Sequence, residues 1–182
     1  MTSIHENLTI EEVGALVCTT LEQHGIRAIL SGGAVVSIYS HNEYPSKDLD
    51  FIVEGISKQV APAMQALGFS KEAGRHWTHP QTEYWVEFTP GPVQVGDSVV
   101  SEFAEISTSV GILRLLRPTE CVMDRLAAYY HWNDPQGLEQ AIQVATKCDI
   151  ELDRIEAWSK RERAAAKFKI FAEELSAREK PA

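Results

Sequence analysis

The chain has 182 residues and a mass of 20.3 kDa, which predicts one domain with at most a small appendage. A hydrophobic fraction of 44% and a charged fraction of 24% are typical of a globular protein and exclude a wholly disordered chain. The formal net charge of −9 argues against tight non-specific binding to DNA, because an acidic chain repels a phosphate backbone.

Along the first part of the chain, the apolar spacing alternates between the periods of helices and strands. Thr9 and Glu12 form a capping box in front of a helix, for which Gly25 is the natural stop. The next predicted elements are a strand over residues 26–30, the turn Ser31-Gly32-Gly33, a helix over 34–40, a loop over 41–47, a strand over 48–53, and a helix capped by Ser57 that ends at Gly68.

The middle of the chain is rich in β-branched and aromatic residues, which predicts several short strands. They lie around Phe69 and over residues 83–88, 103–107 and 111–115, with a loop over residues 89–97. The last third is helical, with one helix capped by Thr119, one that follows the N-cap Asp134 and Pro135, and a single last helix from about Glu151. This order predicts an α+β fold, a mixed sheet followed by helices.

Three features of the sequence indicate a site that binds phosphate and metal ions. Gly32 and Gly33 allow a tight turn between a strand and a helix, and the helix N–H groups that follow can hold a phosphate. Asp48 and Asp50 share one face of a strand, and two adjacent carboxylates repel unless a cation lies between them. Oxygen ligands suit Mg²⁺ or Mn²⁺, and Glu87, in an otherwise apolar strand, is the natural third carboxylate of a two-metal site.

The segment LSGGAVVSIYSHNEYPSKDLDFIV resembles the signature of the nucleotidyltransferase (DNA polymerase β-like) superfamily. The segments WTHPQTEYWVEFTPGPVQVGD and RPTECVMDRLAAYYHWNDPQGLEQA resemble small bacterial nucleotidyltransferase-like proteins of the abortive-infection AbiEii type, which belong to toxin–antitoxin and phage-defence systems. The resemblance covers about residues 25–150. It implies a minimal nucleotidyltransferase fold, with a core over residues 1–117 and a helical C-terminal extension over residues 118–182 packed on it.

The resemblance also implies a reaction, in which a hydroxyl attacks the α-phosphate of a nucleoside triphosphate and pyrophosphate leaves. By position, Asp48, Asp50 and Glu87 would bind two Mg²⁺ or Mn²⁺ ions, and Glu87 would help to deprotonate the hydroxyl. The triphosphate would contact Ser31, Gly32, Gly33, Lys47 and Arg125. The expected acceptor is a protein or an RNA, and a cognate partner protein is a further expectation.

Other readings of the same residues stay open. The segment from His131 to Asp134 stands where relatives carry a more basic motif, so a catalytically inactive, antitoxin-like partner-binding module is the alternative function. A metal-binding α+β domain without a nucleotide is a third option. Asp134 is more simply an N-cap, and Lys47 is equally a solvated loop residue.

Four further features have weaker functional interpretations. His76 and His79 form an H-x-x-H pair without an obvious third zinc ligand. Trp77, Tyr84, Trp85 and Phe88 would stack a base or, more commonly, pack in a core. The cations between Lys160 and Lys169 suggest an RNA or partner contact, although a solvated helix face explains them as well. Three scattered cysteines, with neither a signal peptide nor a membrane span in the sequence, predict a cytoplasmic protein.

Overall fold

The computed structural model describes residues 3–55, 57–72 and 74–179. Its helices are α1 (Ile10–Gln23), α2 (Gly32–Tyr39), α3 (Val60–Ala66), α4 (Pro118–Trp132), α5 (Pro135–Ala145), α6 (Leu152–Arg161) and α7 (Ala165–Glu179). Its strands are β1 (Ile26–Ser31), β2 (Asp48–Gly55), β3 (Ser70–Lys71), β4 (Trp77–Thr78), β5 (Trp85–Pro90), β6 (Gln94–Val95), β7 (Ser98–Val99), β8 (Ala104–Ser107) and β9 (Ile112–Leu115). The predicted α+β class, with a mixed sheet flanked by helices, is confirmed.

The main sheet has seven strands in the order β3-β4-β5-β2-β1-β9-β8, and β6 pairs with β7 in a separate hairpin. β2 runs antiparallel to β1 and parallel to β5, while β1 runs parallel to β9. The end of β1 therefore lies beside the beginnings of β2 and β5. The Gly-Gly turn after β1 and the acidic residues of β2 and β5 therefore lie at the same end of these strands.

Alternation along β2 separates the core from the acidic face. Leu49, Phe51 and Val53 are buried, whereas Asp48 and Asp50 are half-buried on the opposite side of the strand. The Leu49 side chain points to α1, because a Cβ added at Gly14 of that helix would lie 3.5 Å from it. The apolar face of β2 therefore packs against α1, which leaves the carboxylates on the other face of the sheet.

The helices of the last third are continuous with this core. α4 and α5 both contact α2. Trp158 of α6 is fully buried and stacks on Tyr130 of α4 at 5.5 Å, and the Tyr130 hydroxyl is hydrogen-bonded to Ser159. The boundary predicted at residue 117 stays a prediction, and residues 180–182 of the predicted extension lie outside the described part. None of the helices within the described ranges is long and apolar enough to span a membrane.

The predicted single last helix is wrong, because the chain forms α6 and α7 with a turn between them. Arg163 has a φ of 58°, and its N–H donates to the Lys160 carbonyl. The Ala164 N–H donates to the Ser159 carbonyl at 2.9 Å, which completes a Schellman motif. Glycine is the usual residue at that left-handed position, and an arginine there gives no stop signal in the sequence.

Smaller boundaries also differ from the sequence prediction. The predicted loop over residues 89–97 contains β6, and the predicted strand over 83–88 begins later, at Trp85. Thr119 is not the cap of α4: Arg117 is the N-cap and Pro118 is in the first turn, while the Thr119 hydroxyl accepts the Glu151 N–H. The proposed capping role of Ser57 falls on a side chain outside the described part.

Asp134 is the N-cap of α5, as the sequence predicted, and its Oδ1 accepts the Gln136 N–H at 3.0 Å. We expect Asp134→Ala to lower the free energy of unfolding by about 1 kcal/mol, because a helix N–H loses its partner. Asp153→Ala is the matched control, since Asp153 is exposed in the first turn of α6 and is not its cap. Urea unfolding of both variants checks this, and equal losses would contradict it.

Candidate active site

The pairing register of the sheet aligns four polar residues in one row. Ser31 pairs with Asp50 across β1 and β2, and Asp50 pairs with Glu87 across β2 and β5. Trp77 of β4 pairs with Val86 of β5 in antiparallel register, so His76, one residue earlier, lies opposite Glu87. Register partners point to the same face of a sheet, and His76, Glu87, Asp50 and Ser31 therefore form a continuous polar row.

The turn at Gly32 lies directly against Asp50. Gly32 has a φ of +71°, and a Cβ at this residue would lie 2.6 Å from Asp50 Oδ2. α2 begins at Gly32 itself, two residues before the predicted start. The Ser31 hydroxyl donates to the Asp50 backbone carbonyl at 3.1 Å. Glycine thus brings the N-terminus of α2 close to the carboxylate, where any other residue would displace it.

The two aspartates of β2 lie close to other acidic groups, and both have a raised pKa. Burial, together with the charges of Asp48 and Glu87, raises the pKa of Asp50 to about 6. Burial and the Glu87 charge also raise the pKa of Asp48 above its ordinary value. The Asp48 Oδ1 atom is buried and has no hydrogen-bond partner among the described residues. Buried, mutually repelling carboxylate oxygens of this kind fit a divalent cation.

Glu87 lies beside Asp50 on the same face of the sheet, but its carboxylate contacts His76, on the side away from β2. Its Oε1 is paired with His76 Nε2. Within residues 3–55, 57–72 and 74–179, no group of three or more His, Cys, Asp and Glu side chains converges closely enough to hold a metal ion. As the structure stands, the pair that fits a cation is Asp48 and Asp50, with Glu87 as their neighbour in the row.

The predicted phosphate contacts fall into two groups. Arg125 of α4 acts on the carboxylates through its charge. Burial and the neighbouring acids raise the pKa of Asp50, and the Arg125 charge opposes this increase. Its Nε donates to Asp124 at 3.1 Å and its Nη1 to Gln140 at 3.3 Å, which fixes the guanidinium between α4 and α5. Lys47 is exposed and paired with Glu83 at 2.7 Å.

Gly33 and its surroundings include residues that the sequence did not single out. Tyr44 and Ser46 lie against Gly33, at 3.7 and 3.4 Å from the position of an added Cβ. The Tyr44 hydroxyl accepts a hydrogen bond from the Gln136 side chain at 2.8 Å. This contact ties the N-terminus of α5 to the loop before β2. No local pattern predicts it, because the two residues are far apart in the chain.

The H-x-x-H pair does not form a zinc site. His76 contacts Glu87, whereas the His79 ring packs on Phe69 at 5.2 Å and its Nδ1 accepts the Gln81 N–H at 3.1 Å. The two imidazoles thus make separate contacts. The contact of His76 with Glu87 was not visible in the sequence, because it depends on the register between β4 and β5.

The segment from His131 to Asp134 contains the end of α4 and the connection to α5. His131 is paired with Glu162 at 2.9 Å, Asn133 ends α4 with a φ of 52°, and Asp134 caps α5. Trp132 is 82% exposed. The contacts of these residues are therefore structural.

Most of the predicted basic patch is neutralised or turned inward. Lys167 donates to the carbonyls of Tyr129 and Tyr130, at the end of α4, at 2.8 and 2.7 Å. Lys160 is paired with Glu156 and Lys169 with Glu173. The helix-face interpretation of these cations is the one that the contacts favour.

The aromatic residues around β5 divide between the two faces of the sheet. Trp77 is buried in the core, and Phe88, which is partly buried, packs against the core and stacks on Phe51 at 6.1 Å. Trp85 alternates with buried Val86 and lies on the carboxylate face, where its ring is 6.3 Å from that of His76. Tyr84 is half-buried. The burial of Trp77 in the core therefore excludes base stacking by this residue.

No protein-family model matches the sequence, and no match is found among curated proteins. Among solved structures, the chain is similar to an antigenic nucleotidyltransferase-like protein from Paracoccidioides brasiliensis, with a TM-score of 0.55 and 11% identity over 79% of this chain and 77% of that chain. It is also similar to the antibiotic-resistance factor ANT(2'')-Ia, with a TM-score of 0.51 and 13% identity over 86% of this chain and 93% of that chain. At these identities the similarity shows the fold, which is that of nucleotidyltransferase-like proteins. The abortive-infection branch stays a prediction.

Proposed function

We propose that the protein is a metal-dependent nucleotidyltransferase, which moves a nucleotidyl group from a nucleoside triphosphate to a hydroxyl acceptor. The observation that carries the proposal is the placement of Asp48 and Asp50, on one face of β2, against the Gly32 turn and in register with Glu87. Their raised pKa values and the unpartnered Asp48 oxygen support a site that is completed by divalent cations.

Each residue of the site has a role in this proposal. Asp48 and Asp50 hold Mg²⁺ or Mn²⁺, which when bound would stabilise negative charge on the attacking and leaving oxygens. The first N–H groups of α2, at Gly32 and Gly33, bind the triphosphate. Arg125 offsets negative charge beside Asp50, and Glu87 accepts the proton of the attacking hydroxyl.

The finer parts of the proposal rest on the sequence resemblance. We extend it to a protein or RNA hydroxyl as the acceptor, to contacts of Ser31 and Lys47 with the triphosphate, and to a cytoplasmic role in a toxin–antitoxin or phage-defence system with a cognate partner protein. Lys47 would have to leave Glu83 to take its part. The extension over residues 118–182 would hold Arg125 against the core.

The first test is unfolding with each nucleoside triphosphate, with and without Mg²⁺, on the wild type and on Asp48→Asn/Asp50→Asn. A nucleotide at about 100 times its Kd should add about 2.7 kcal/mol to the wild type, and the double variant should lose this increment. Pyrophosphate release with protein and RNA acceptors then tests turnover. No stabilisation by any nucleotide would contradict the proposal and favour the inactive partner-binding module, for which the non-basic segment at His131 is the supporting observation.

A further inference from the structure

His76 is a member of the polar row to which the proposed function gives no role. Its place follows from the hairpin that joins β4 to β5, since the register puts it directly opposite Glu87. Residues opposite each other across an antiparallel pair have side chains close enough to interact. The Nε2 atom of His76 is paired with Oε1 of Glu87. The pairing of β4 with β5 therefore brings the two side chains together.

Two further contacts surround His76, one at its backbone and one at its ring. The His76 carbonyl accepts the Glu72 N–H at 3.0 Å, which fixes the backbone at the end of the β3–β4 pair. The His76 ring lies beside the Trp85 ring, at 6.3 Å between centroids and an angle of 44°. The side chain of Glu87 is 25% exposed and that of His76 is 51% exposed. The pair is thus anchored in the sheet and still reachable by a substrate.

Glu87 has neighbours of opposite character on its two sides. Asp50 is its register partner on β2, and that aspartate repels it. On the other side, the Nε2 atom of His76 is paired with one oxygen of the Glu87 carboxylate. A carboxylate that is repelled on one flank and paired with an imidazole on the other has a preferred orientation, and its second oxygen stays available. Side chains that contact the groups of a metal site commonly fix the orientation of those groups.

We propose that His76 is a positioning residue, which orients the Glu87 carboxylate so that its second oxygen meets the acceptor hydroxyl. This inference rests on the proposed function and adds to it a residue on the acceptor side of the site. His79, the other half of the H-x-x-H pair, has no such role, because its ring packs on Phe69 and its Nδ1 accepts the Gln81 N–H.

The kinetic test compares three variants at one fixed pH. His76→Ala should lower kcat by about 10–100-fold and leave the nucleotide Kd within about twofold, because the lost contact orients Glu87 and does not bind nucleotide. His76→Gln, which places an N–H where Nε2 stands, should recover most of this loss. His79→Ala is the matched control and should leave kcat unchanged. Equal kcat values for the wild type and His76→Ala would overturn the inference.

A second measurement does not depend on turnover. In the metal-free protein, ¹⁵N NMR of the histidine rings should show the His76 Nε2 signal move in Glu87→Gln, while the His79 signal stays in place. If the His76 Nε2 signal were the same in the wild type and in Glu87→Gln, the pairing would be contradicted, whether or not the protein has catalytic activity. If the wild type shows no turnover with any nucleotide, the proposed function fails and the catalytic part of the inference fails with it. The NMR result then still decides whether His76 positions Glu87.

Discussion

Replacing Asp50 with asparagine should remove nucleotidyl transfer and, at the same time, make the metal-free protein more stable. The loss of turnover should be at least about 10³-fold, because the variant loses a carboxylate that holds the cations. The gain in stability has a different cause. Asp50 is partly buried beside Asp48 and Glu87, and an amide removes the charge that these neighbours repel. We expect about 1–2 kcal/mol at pH 7.5, allowing for the partial exposure of the side chain.

The gain in stability should depend on pH with a defined sign. The pKa of Asp50 rises from 3.8 to about 6 on folding, so between these values the folded protein binds the extra proton. The wild type therefore loses stability as the pH increases from about 4 to 6, and the loss is complete above pH 7. Urea unfolding without metal should show a small difference between Asp50→Asn and the wild type at pH 4.5 and the full difference at pH 7.5. An equal difference at both values would contradict this.

Saturation with Mg²⁺ and nucleotide should reverse the order of stability. Ligands that bind only the folded state stabilise the wild type and not the variant. Asp149→Asn is a control for the loss of a charge, since Asp149 is exposed and does not belong to the candidate site. It should change neither turnover nor the free energy of unfolding by more than about 0.5 kcal/mol. The combination of lost turnover and increased metal-free stability distinguishes a functional acidic pair from a structural one.

The parts of the fold that the sequence predicted well are those fixed by local physics. The capping box at Thr9 and Glu12 is present, and alternation along β2 correctly separates Leu49 from Asp48 and Asp50. These signals depend on residues a few positions apart. The turn between α6 and α7 was not predicted, because backbone hydrogen bonds stabilise it and the residue at its left-handed position is Arg163 instead of glycine.

The candidate site divides in the same way. The motif identified Gly32, Asp48 and Asp50, and the structure brings them together. The contact between His76 and Glu87 could not be predicted, because a register shift of one residue between β4 and β5 would have moved His76 to the opposite face. The placement of Arg125 against Asp124 and Gln140 depends likewise on how α4 packs against α5.

Replacing Gly32 with alanine should disable the site through Asp50. The residue has a φ of +71°, and its new Cβ would lie 2.6 Å from Asp50 Oδ2, which is closer than these atoms can approach. The carboxylate is the movable partner, so it must rotate away from its place. A misplacement of about 1 Å costs on the order of 10² in rate. The left-handed backbone adds a loss of about 1–2 kcal/mol in the free energy of unfolding.

Gly25→Ala separates these two effects, because the chain offers the same backbone strain without the contact. Gly25 has a φ of +74°, and nothing lies within 4 Å of its added Cβ. Both variants should lose a similar amount of stability in urea unfolding, since both place alanine in the left-handed region. Only Gly32→Ala should lose nucleotide-dependent stabilisation and turnover. Equal activity of the two variants would mean that Asp50 tolerates displacement, which a carboxylate that binds a metal at a fixed position does not.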